Sequence, residues 1–461
     1  MTRICILTFG CSLNISDSEV MSGLLEKHKF KIVNSIDEAD LVIVNSCTVK
    51  HATEAHFWNL LSKLKEKNKL VVIAGCIAQT DPEKLSEYSL IGTTQLTHIH
   101  EIVEETLSGN IVKLIAKEIN PRLNLPKIRK NHIIEIIPIC QGCLGNCTYC
   151  KTKAARFELI SYEKDAIICQ AKQAIKEGVK EIWLTAQDTA VYGKDIVDND
   201  ICNDTGKDAG KYVGKDKDAG KYASKNEGVT IIDLLKELIE LKGNFKIRLG
   251  MGNPDHIKSY ITQLIPIFQN EKMFQFIHIP VQSGNNFILK DMNRKYTIEE
   301  FKEIITKLRN SIPNITLATD IIVGYPSETE EQFEDSIKLI KEIKPDVLNR
   351  SKYCARPKTV AASLPQLPGS LIKDRSRKLS QVFDFIGYEH NKSWLKWQGE
   401  ILIDEIGKEE TESVVGRNFA YKPVVVENKD GKLKIGDVVK VKIFKVTKYD
   451  LRGEILKQKH N

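Results

Sequence analysis

Pro138-Ile-Cys-Gln-Gly-Cys-Leu-Gly-Asn-Cys-Thr-Tyr-Cys-Lys-Thr-Lys-Ala-Ala-Arg156 carries Cys143, Cys147 and Cys150 in a C-x3-C-x2-C run. Thiolates this close can hold three irons of a 4Fe–4S cube, which is normally tied down by four cysteines. One iron is then left for a ligand that is not protein. The same stretch can be divided differently. Cys140 with Cys143 and Cys147 with Cys150 are two C-x2-C pairs, the arrangement of a zinc ribbon. Ribbons separate their pairs by about a dozen residues or more, whereas only Leu144, Gly145 and Asn146 intervene here. Cys140 reads as a thiol lining the loop.

Residues 1–118 alternate apolar strands with helical stretches. Ile4–Thr8, Asp40–Asn45 and Leu70–Ala74 read as strands, and about Ser16–Lys27 and Ala52–Lys67 as helices. Continuous apolar strands separated by helices predict a doubly wound parallel sheet covered on both faces. Cys11, Cys47 and Cys76 each fall just past the end of one of these strands. In an open α/β sheet those ends share the edge where ligands bind, so three loops can bring three thiols to one metal centre. The bland alternative is three core cysteines. Those should fall inside strands, as Cys5 does.

From 132 to 390 the alternation resumes. Ile133–Ile137, Lys180–Asp188, Phe245–Gly250, Phe276–Gln282, Thr316–Val323 and Asp346–Lys352 read as strands, with helices such as Glu163–Lys176, Ile231–Leu241, Ile298–Arg309 and Glu328–Lys341 between them. The pattern predicts a partial (β/α)6 barrel with its reactive groups at the C-terminal ends of the strands. Residues 194–228 interrupt it with a Lys-, Asp- and Gly-rich insert in which Lys207–Tyr212 is repeated as Lys217–Tyr222. Such a composition cannot bury enough apolar surface to offset ordering, so a disordered loop is expected.

Past a helical stretch at Lys373–Lys392, residues 394–461 turn to short strands: Glu400–Asp404, Val414–Arg417, Lys422–Glu427 and Val438–Val446. Gly-containing turns between short strands predict a small closed β-barrel. Alternation sets Lys440 and Lys442 opposite Val439, Val441 and Ile443. From Lys422 onward eleven Lys and Arg face five Asp and Glu, which fits a phosphate-tracking surface or a plain solubilising face.

Composition excludes several classes. At 461 residues, two or three domains are expected. No apolar run approaches the ~20 residues of a membrane helix, the first residues do not read as a secretory signal, and no membrane partner is expected. The eleven cysteines form an odd set in a long chain, which fits thiolates used for metal in a reducing cytoplasm. A net charge of +7 permits a polyanionic partner without demanding one.

The Cys143 run resembles the radical S-adenosylmethionine enzymes, and two incomplete cysteine triplets in one chain resemble their methylthiotransferase branch. Leu184–Gly193, His278–Gly284, Met292–Thr297 and Asp320–Thr329 carry the likeness across nearly the whole chain apart from the insert. It implies two 4Fe–4S clusters, an auxiliary one on Cys11, Cys47 and Cys76 and a radical one on Cys143, Cys147 and Cys150, with S-adenosylmethionine on the open iron of the second. Thr185, Gln187 and Asp188 would then face the cofactor amine, which suits oxygen acceptors. Arg248 would offer a fork to its carboxylate, and Gln282, Asp320 and Gly324 would line its adenosine. The C-terminal barrel resembles the RNA-binding TRAM domain, with Gly416–Val424 in the form found in archaeal and eukaryotic members. Two departures stand out. Lys358 replaces the family's usual Gly in Cys354–Thr359, losing easy access to positive φ, and Asn285 replaces a common Ser.

Three substrates compete within that branch: isopentenyladenosine in tRNA, threonylcarbamoyladenosine in tRNA, and an aspartate of a ribosomal protein. Lys151-Thr-Lys-Ala-Ala-Arg156 is similar to the threonylcarbamoyladenosine branch, and basic residues beside the cluster suit a carboxylate-bearing substrate. The resemblance therefore implies a methylthiotransferase acting at C2 of position 37 of tRNA, meeting the anticodon loop, an electron donor such as ferredoxin or flavodoxin, and a sulfide source. The alternatives are the ribosomal-protein enzyme and a non-catalytic iron–sulfur RNA-binding protein.

Overall fold

The computed structural model describes residues 1–48, 51–118, 120, 122–195 and 228–456; the expected disordered insert lies, from 196 to 227, outside the described residues. The N-terminal sheet is parallel, in the order β2-β1-β3-β4-β5-β6. Its strands are β1 (Arg3–Phe9), β2 (Lys31–Val33), β3 (Leu41–Ser46), β4 (Leu70–Ala74), β5 (Ser89–Ile91) and β6 (Lys113–Leu114). Four helices flank it: α1 (Ser12–Lys27), α2 (His51–Glu66), α3 (Cys76–Thr80) and α4 (Ile99–Leu107). Leu41 and Ile43 of β3 pack with α1 and α4, while Val42 and Val44 pack with α2 and α3. Burial on both faces is why this strand is apolar at successive positions rather than at alternate ones. The three expected strands are β1, β3 and β4; β2, β5 and β6 have three, three and two residues, too few to show a period.

The central wall joins two parallel halves. One is β7 (Ile134–Pro138), β10 (Glu181–Thr185) and β11 (Lys246–Leu249); the other is β12 (Phe276–His278), β13 (Thr316–Val323) and β14 (Val347–Lys352). They meet where the Ile247 amide donates to the Lys272 carbonyl at 2.6 Å and the Phe274 amide to the Ile247 carbonyl at 2.9 Å. A short antiparallel pair, β8 (Cys140–Gln141) with β9 (Ile160–Ser161), clamps the two ends of the cysteine loop. Helices α5 (Thr152–Arg156), α6 (Lys164–Lys176), α7 (Ile231–Glu240), α8 (Pro254–Gln269), α9 (Asn286–Asp291), α10 (Ile298–Ser311), α11 (Glu330–Ile343) and α12 (Gly369–Lys392) complete the βα units. Capping boxes at Thr230, Thr297 and Thr329 fix where α7, α10 and α11 begin. Asn285 caps α9 by accepting from the amides of Phe287 and Ile288, so replacing Ser there keeps a capping oxygen.

The C-terminal barrel closes in the order β15-β16-β17-β19-β18. These strands are β15 (Gln398–Ile406), β16 (Ser413–Arg417), β17 (Pro423–Glu427), β18 (Val438–Val446) and β19 (Leu451–Ile455). Val441 and Ile443 enter its core while Lys440 is exposed. The connection between β16 and β17 attaches this barrel to the central one. Arg417, Tyr421 and Lys422 of the stretch resembling the TRAM form insert towards the N-terminal end of the partial barrel. The Tyr421 ring lies 4.7 Å from Phe274 and 5.2 Å from Phe276. Lys422 is buried, with Nζ 2.7 Å from Asp346 Oδ1 and 3.1 Å from Asn391 Oδ1. Burial alone would raise Asp346, but the charges of Lys422 and His390 outweigh it and hold the carboxyl well below its usual range. Among the described residues no helix is long and apolar enough to cross a membrane.

Lys358 keeps the backbone that glycine favours, with φ +67 on an exposed side chain. Relief of left-handed strain, about 1–2 kcal/mol, exceeds the about 0.4–1 kcal/mol of added chain entropy. Lys358→Gly is therefore expected to raise stability by about 0.5–1 kcal/mol in denaturant unfolding, and a loss would contradict the strain. Glu181 sits at the junction with the C-terminal barrel, accepting from Trp183 Nε1 at 2.8 Å. Burial, helped by the charge of Asp404, pushes it up to about 7. Its folded value lies above the unfolded value of about 4.3, so its contribution is present below that value and is lost as pH rises towards about 7. Glu181→Gln should flatten the dependence of thermal stability on pH across this window and exceed the parent at pH 8; a parallel profile would refute the burial account.

Candidate active site

Cys11 precedes the first residue of α1, Cys47 follows β3 and Cys76 opens α3, so all three stand on the C-terminal edge of the first sheet. Asn14 and Asn45 tie these loops together. Asn14 Oδ1 accepts from Cys11 Sγ at 3.3 Å, and Asn45 Nδ2 donates to the Asn14 carbonyl at 2.8 Å. A Cβ on Gly10 would stand 2.8 Å from Cys47 Cβ, and one on Gly75, whose φ is +85, would stand 2.2 Å from Asn45 Oδ1. Only glycine lets the loops approach this closely. A hydrogen bond from Cys47, with the charge of Arg156, brings Cys76 down to about 6 against the upward push of burial.

In the second triplet each sulfur receives one N–H. The Gly145 amide donates to Cys143 Sγ at 3.3 Å, the Thr152 amide to Cys150 Sγ at 3.4 Å, and Arg294 Nη1 to Cys147 Sγ at 3.4 Å. Arg294 is fixed by Asn253 Oδ1 at 2.9 Å and by the Pro280 carbonyl at 3.3 Å. The sequence reading assigned Arg294 no role; its only signal was its place in Met292–Thr297, and no spacing rule links it to a thiol on another strand's loop. Cys140 lies apart, fully buried, with its sulfur 3.8 Å from the Asp188 carbonyl.

The two domains that carry the triplets meet at several contacts. Ser12 Oγ, beside Cys11, meets Thr185 Oγ1 at the end of β10 at 2.7 Å. Arg156 Nη2 donates to Asp17 Oδ2 at 2.7 Å, with side-chain exposures of 1% and 2%, and Arg122 grips the other oxygen. Lys151 Nζ pairs with Asp81 at 2.5 Å. Here the structure corrects an expectation. Lys151 and Arg156 point into the first domain and pair with carboxylates there, so neither is presented to a substrate.

Of the expected cofactor residues, Thr185, Gln187 and Asp188 lie together at the end of β10. Gln187 Oε1 is buried with no hydrogen-bond partner among the described residues. Asp188 accepts from the amides of Ala190 at 3.0 Å and Asn253 at 3.1 Å. Gln282, with φ +70, joins β13: its amide donates to the Asp320 carbonyl at 2.8 Å. The Asp320 carboxylate accepts from Asn349 at 2.7 Å and meets His278 Nε2 at 2.8 Å. Gly324 turns at φ +77 and donates to Glu328 Oε2 at 2.8 Å. Arg248 does not join them. Its guanidinium is boxed by Trp183, Phe276 and Tyr421, with ring centroids at 4.9, 5.1 and 5.1 Å. It belongs to the seam with the C-terminal barrel, not to a carboxylate site.

Residues 3–92 match the family described as Uncharacterized protein family UPF0004, residues 137–340 the Radical SAM superfamily, and residues 399–456 the TRAM domain. The chain is 38% identical over 463 residues to the threonylcarbamoyladenosine tRNA methylthiotransferase of Mus musculus, covering 98% of this chain and 74% of that one. It is 37% identical over 446 residues to the probable threonylcarbamoyladenosine tRNA methylthiotransferase of Pyrococcus abyssi, covering 95% and 97%. The chain belongs to the threonylcarbamoyladenosine tRNA methylthiotransferase family. Among solved structures, the radical S-adenosylmethionine methyltransferase TsrM from Kitasatospora setae superposes with a TM-score of 0.52 at 13% identity, covering 78% of this chain and 77% of that one. That likeness is one of fold.

The family's cofactors are two 4Fe–4S clusters and S-adenosylmethionine, and the residues fit them. N–H donors aimed at all three sulfurs of the second triplet suit an anionic cluster, and the orphaned Gln187 oxygen suits an ammonium donor. Among the described residues no three metal-ligating side chains close on a single ion; a cube takes one sulfur at each of separate corners. Replacing Cys143, Cys147 and Cys150 by Ala should leave about four irons after anaerobic reconstitution, as should replacing Cys11, Cys47 and Cys76, against about eight in the parent. Iron analysis showing either set to hold none would remove that site.

Proposed function

We propose that this protein is a tRNA N6-threonylcarbamoyladenosine methylthiotransferase, inserting a methylthio group at C2 of adenosine 37 beside the anticodon. The observation that carries the reading is the junction of two three-thiol sites, each on the C-terminal edge of its own sheet, held together at Ser12–Thr185 and Asp17–Arg156. The names of relatives from animals and archaea support the substrate. A C–H bond on an aromatic ring offers no acid–base handle. The bound cofactors supply the radical that breaks it and the sulfur that replaces it.

The chain's own residues position and shelter. Cys11, Cys47 and Cys76 hold the sulfur-carrying cluster; Cys143, Cys147 and Cys150 hold the one that takes S-adenosylmethionine. Gln187 would accept from the cofactor amine through its unpartnered oxygen, with Thr185 and Asp188 beside it at the end of β10. Gln282, Asp320 and Gly324 would line the adenosine side. The target base is splayed from the anticodon loop, where single-stranded bases are accessible, and the exposed Lys440 face of the C-terminal barrel follows the RNA backbone. A small electron donor of the ferredoxin or flavodoxin class and a sulfide source complete the reaction, in the reducing cytoplasm where tRNA is found.

Mass spectrometry of tRNA nucleosides from a deletion strain checks this. The expected result is loss of 2-methylthio-N6-threonylcarbamoyladenosine with accumulation of its precursor. An unchanged level would refute the reading. Loss of a modified ribosomal aspartate would favour the protein-modifying alternative, and failure of the reduced, reconstituted protein to release deoxyadenosine from S-adenosylmethionine would favour a non-catalytic role.

A further inference from the structure

Arg156 is the last residue of α5, the helix that begins two residues after Cys150. Its backbone belongs to the second thiol loop, but its side chain crosses into the first domain. The guanidinium is 1% exposed. One nitrogen, Nη2, is taken by Asp17 at 2.7 Å. The other, Nη1, is buried with no hydrogen-bond partner among the described residues. Cys76 and Cys11 both lie within reach of its charge. An unpartnered N–H is costly to bury, and α5 packs on α3, the helix that Cys76 opens, which sets Arg156 against part of the triplet that the proposed function assigns to the auxiliary cluster. Arg122 also binds Asp17, so Asp17 does not depend on Arg156 alone for a partner.

We infer that Arg156 is a positioning residue for the auxiliary cluster: its buried N–H and its charge act on the sulfur ligands Cys76 and Cys11 and raise the reduction potential of the cluster they hold. The physical ground is that net charge and hydrogen bonds to the sulfurs set the potential of an iron–sulfur cluster. A buried cation favours the more negative, reduced state. Because the same residue is anchored in the loop of the second cluster, the domain that binds S-adenosylmethionine also sets the electron affinity of the sulfur-carrying site. Arg294 plays the comparable part at Cys147, with its N–H already in place at 3.4 Å.

The inference rests on the reading of the first triplet as a cluster site, and the test separates the two. Full-length protein is reconstituted anaerobically and titrated with dithionite under EPR, with the Cys143, Cys147 and Cys150→Ala variant as the reference that carries the auxiliary cluster alone. Arg156→Gln in that background should keep about four irons and shift the auxiliary midpoint negative by a tenfold or larger fall in the reduced-to-oxidised ratio, about 59 mV for a one-electron couple. Arg156→Lys, which keeps the charge, should recover most of the shift, a rescue that a purely structural role would not produce. An unchanged midpoint in a fully loaded Arg156→Gln protein overturns the inference while leaving the cluster site standing. Absence of iron from the reference itself overturns the site. Should Arg156→Gln fail to load, Asp17→Asn decides: loss of the anion beside the guanidinium should move the midpoint positive, and no shift or a negative one overturns the proposal.

Discussion

Asp17 is a carboxylate with 2% of its side chain exposed, held between the guanidinium groups of Arg122 and Arg156. Removing three charges from water is expensive, and the arrangement persists only because each oxygen meets a guanidinium donor. The return is geometric. Asp17 lies on α1, which starts beside Cys11, and Arg156 ends α5, which starts beside Cys150. The ion triad therefore locks the two thiol loops in one relative position. An apolar seam could slide by an ångström at little cost; a charged one cannot without stranding a buried ion. Lys151–Asp81 and Ser12–Thr185 act in the same direction at neighbouring points.

The opposite end of the central barrel is treated in the same way with different chemistry. Six strands form an open wall, and its lumen needs a cover. Tyr421, with φ +59, presents its ring to Phe274, Phe276 and Trp183. Arg248 fills the space between these rings, and Lys422 pairs with Asp346 just before β14. The C-terminal barrel is thus attached through its β16–β17 connection, leaving Lys440 on β18 exposed to solvent. Domains at both ends of the wall are fixed by buried charge or by cation–ring contact, which gives each junction a direction as well as an affinity.

This division explains what the sequence disclosed. The thiol loops were readable because ligand spacing and strand ends are local properties. The strands of the first domain were readable where both faces are buried, as at Leu41–Val44, and unreadable at the two- and three-residue edges. The small barrel was readable from alternation, except for Leu451–Ile455, which is short and buries only Leu451 and Gly453. Arg294, Arg156 and Tyr421 were opaque for one reason: their partners at Cys147, Asp17 and Phe274 lie 147, 139 and 147 positions away, and only the finished fold brings them together. Arg248 was misplaced because its type fits both a carboxylate and an aromatic box, and sequence alone does not choose between them.

The basic run after Cys150 shows the limit most clearly. Its sign suited a substrate bearing a carboxylate. Two of its three cations, however, are paired inside the protein, Lys151 with Asp81 and Arg156 with Asp17. A run of charge displays its sign in the sequence but not its counter-ion, and here the counter-ions come from another domain. Lys153 remains, half-buried, with its ammonium against the neutral Asn146 Oδ1 at 3.0 Å. Asn146 lies between Cys143 and Cys147, so this cation is held by the second thiol loop rather than by the first domain. The chemistry first credited to three residues thus divides. Two set the geometry of the paired cluster sites, and Lys153 is the one cation of the run without a carboxylate partner among the described residues.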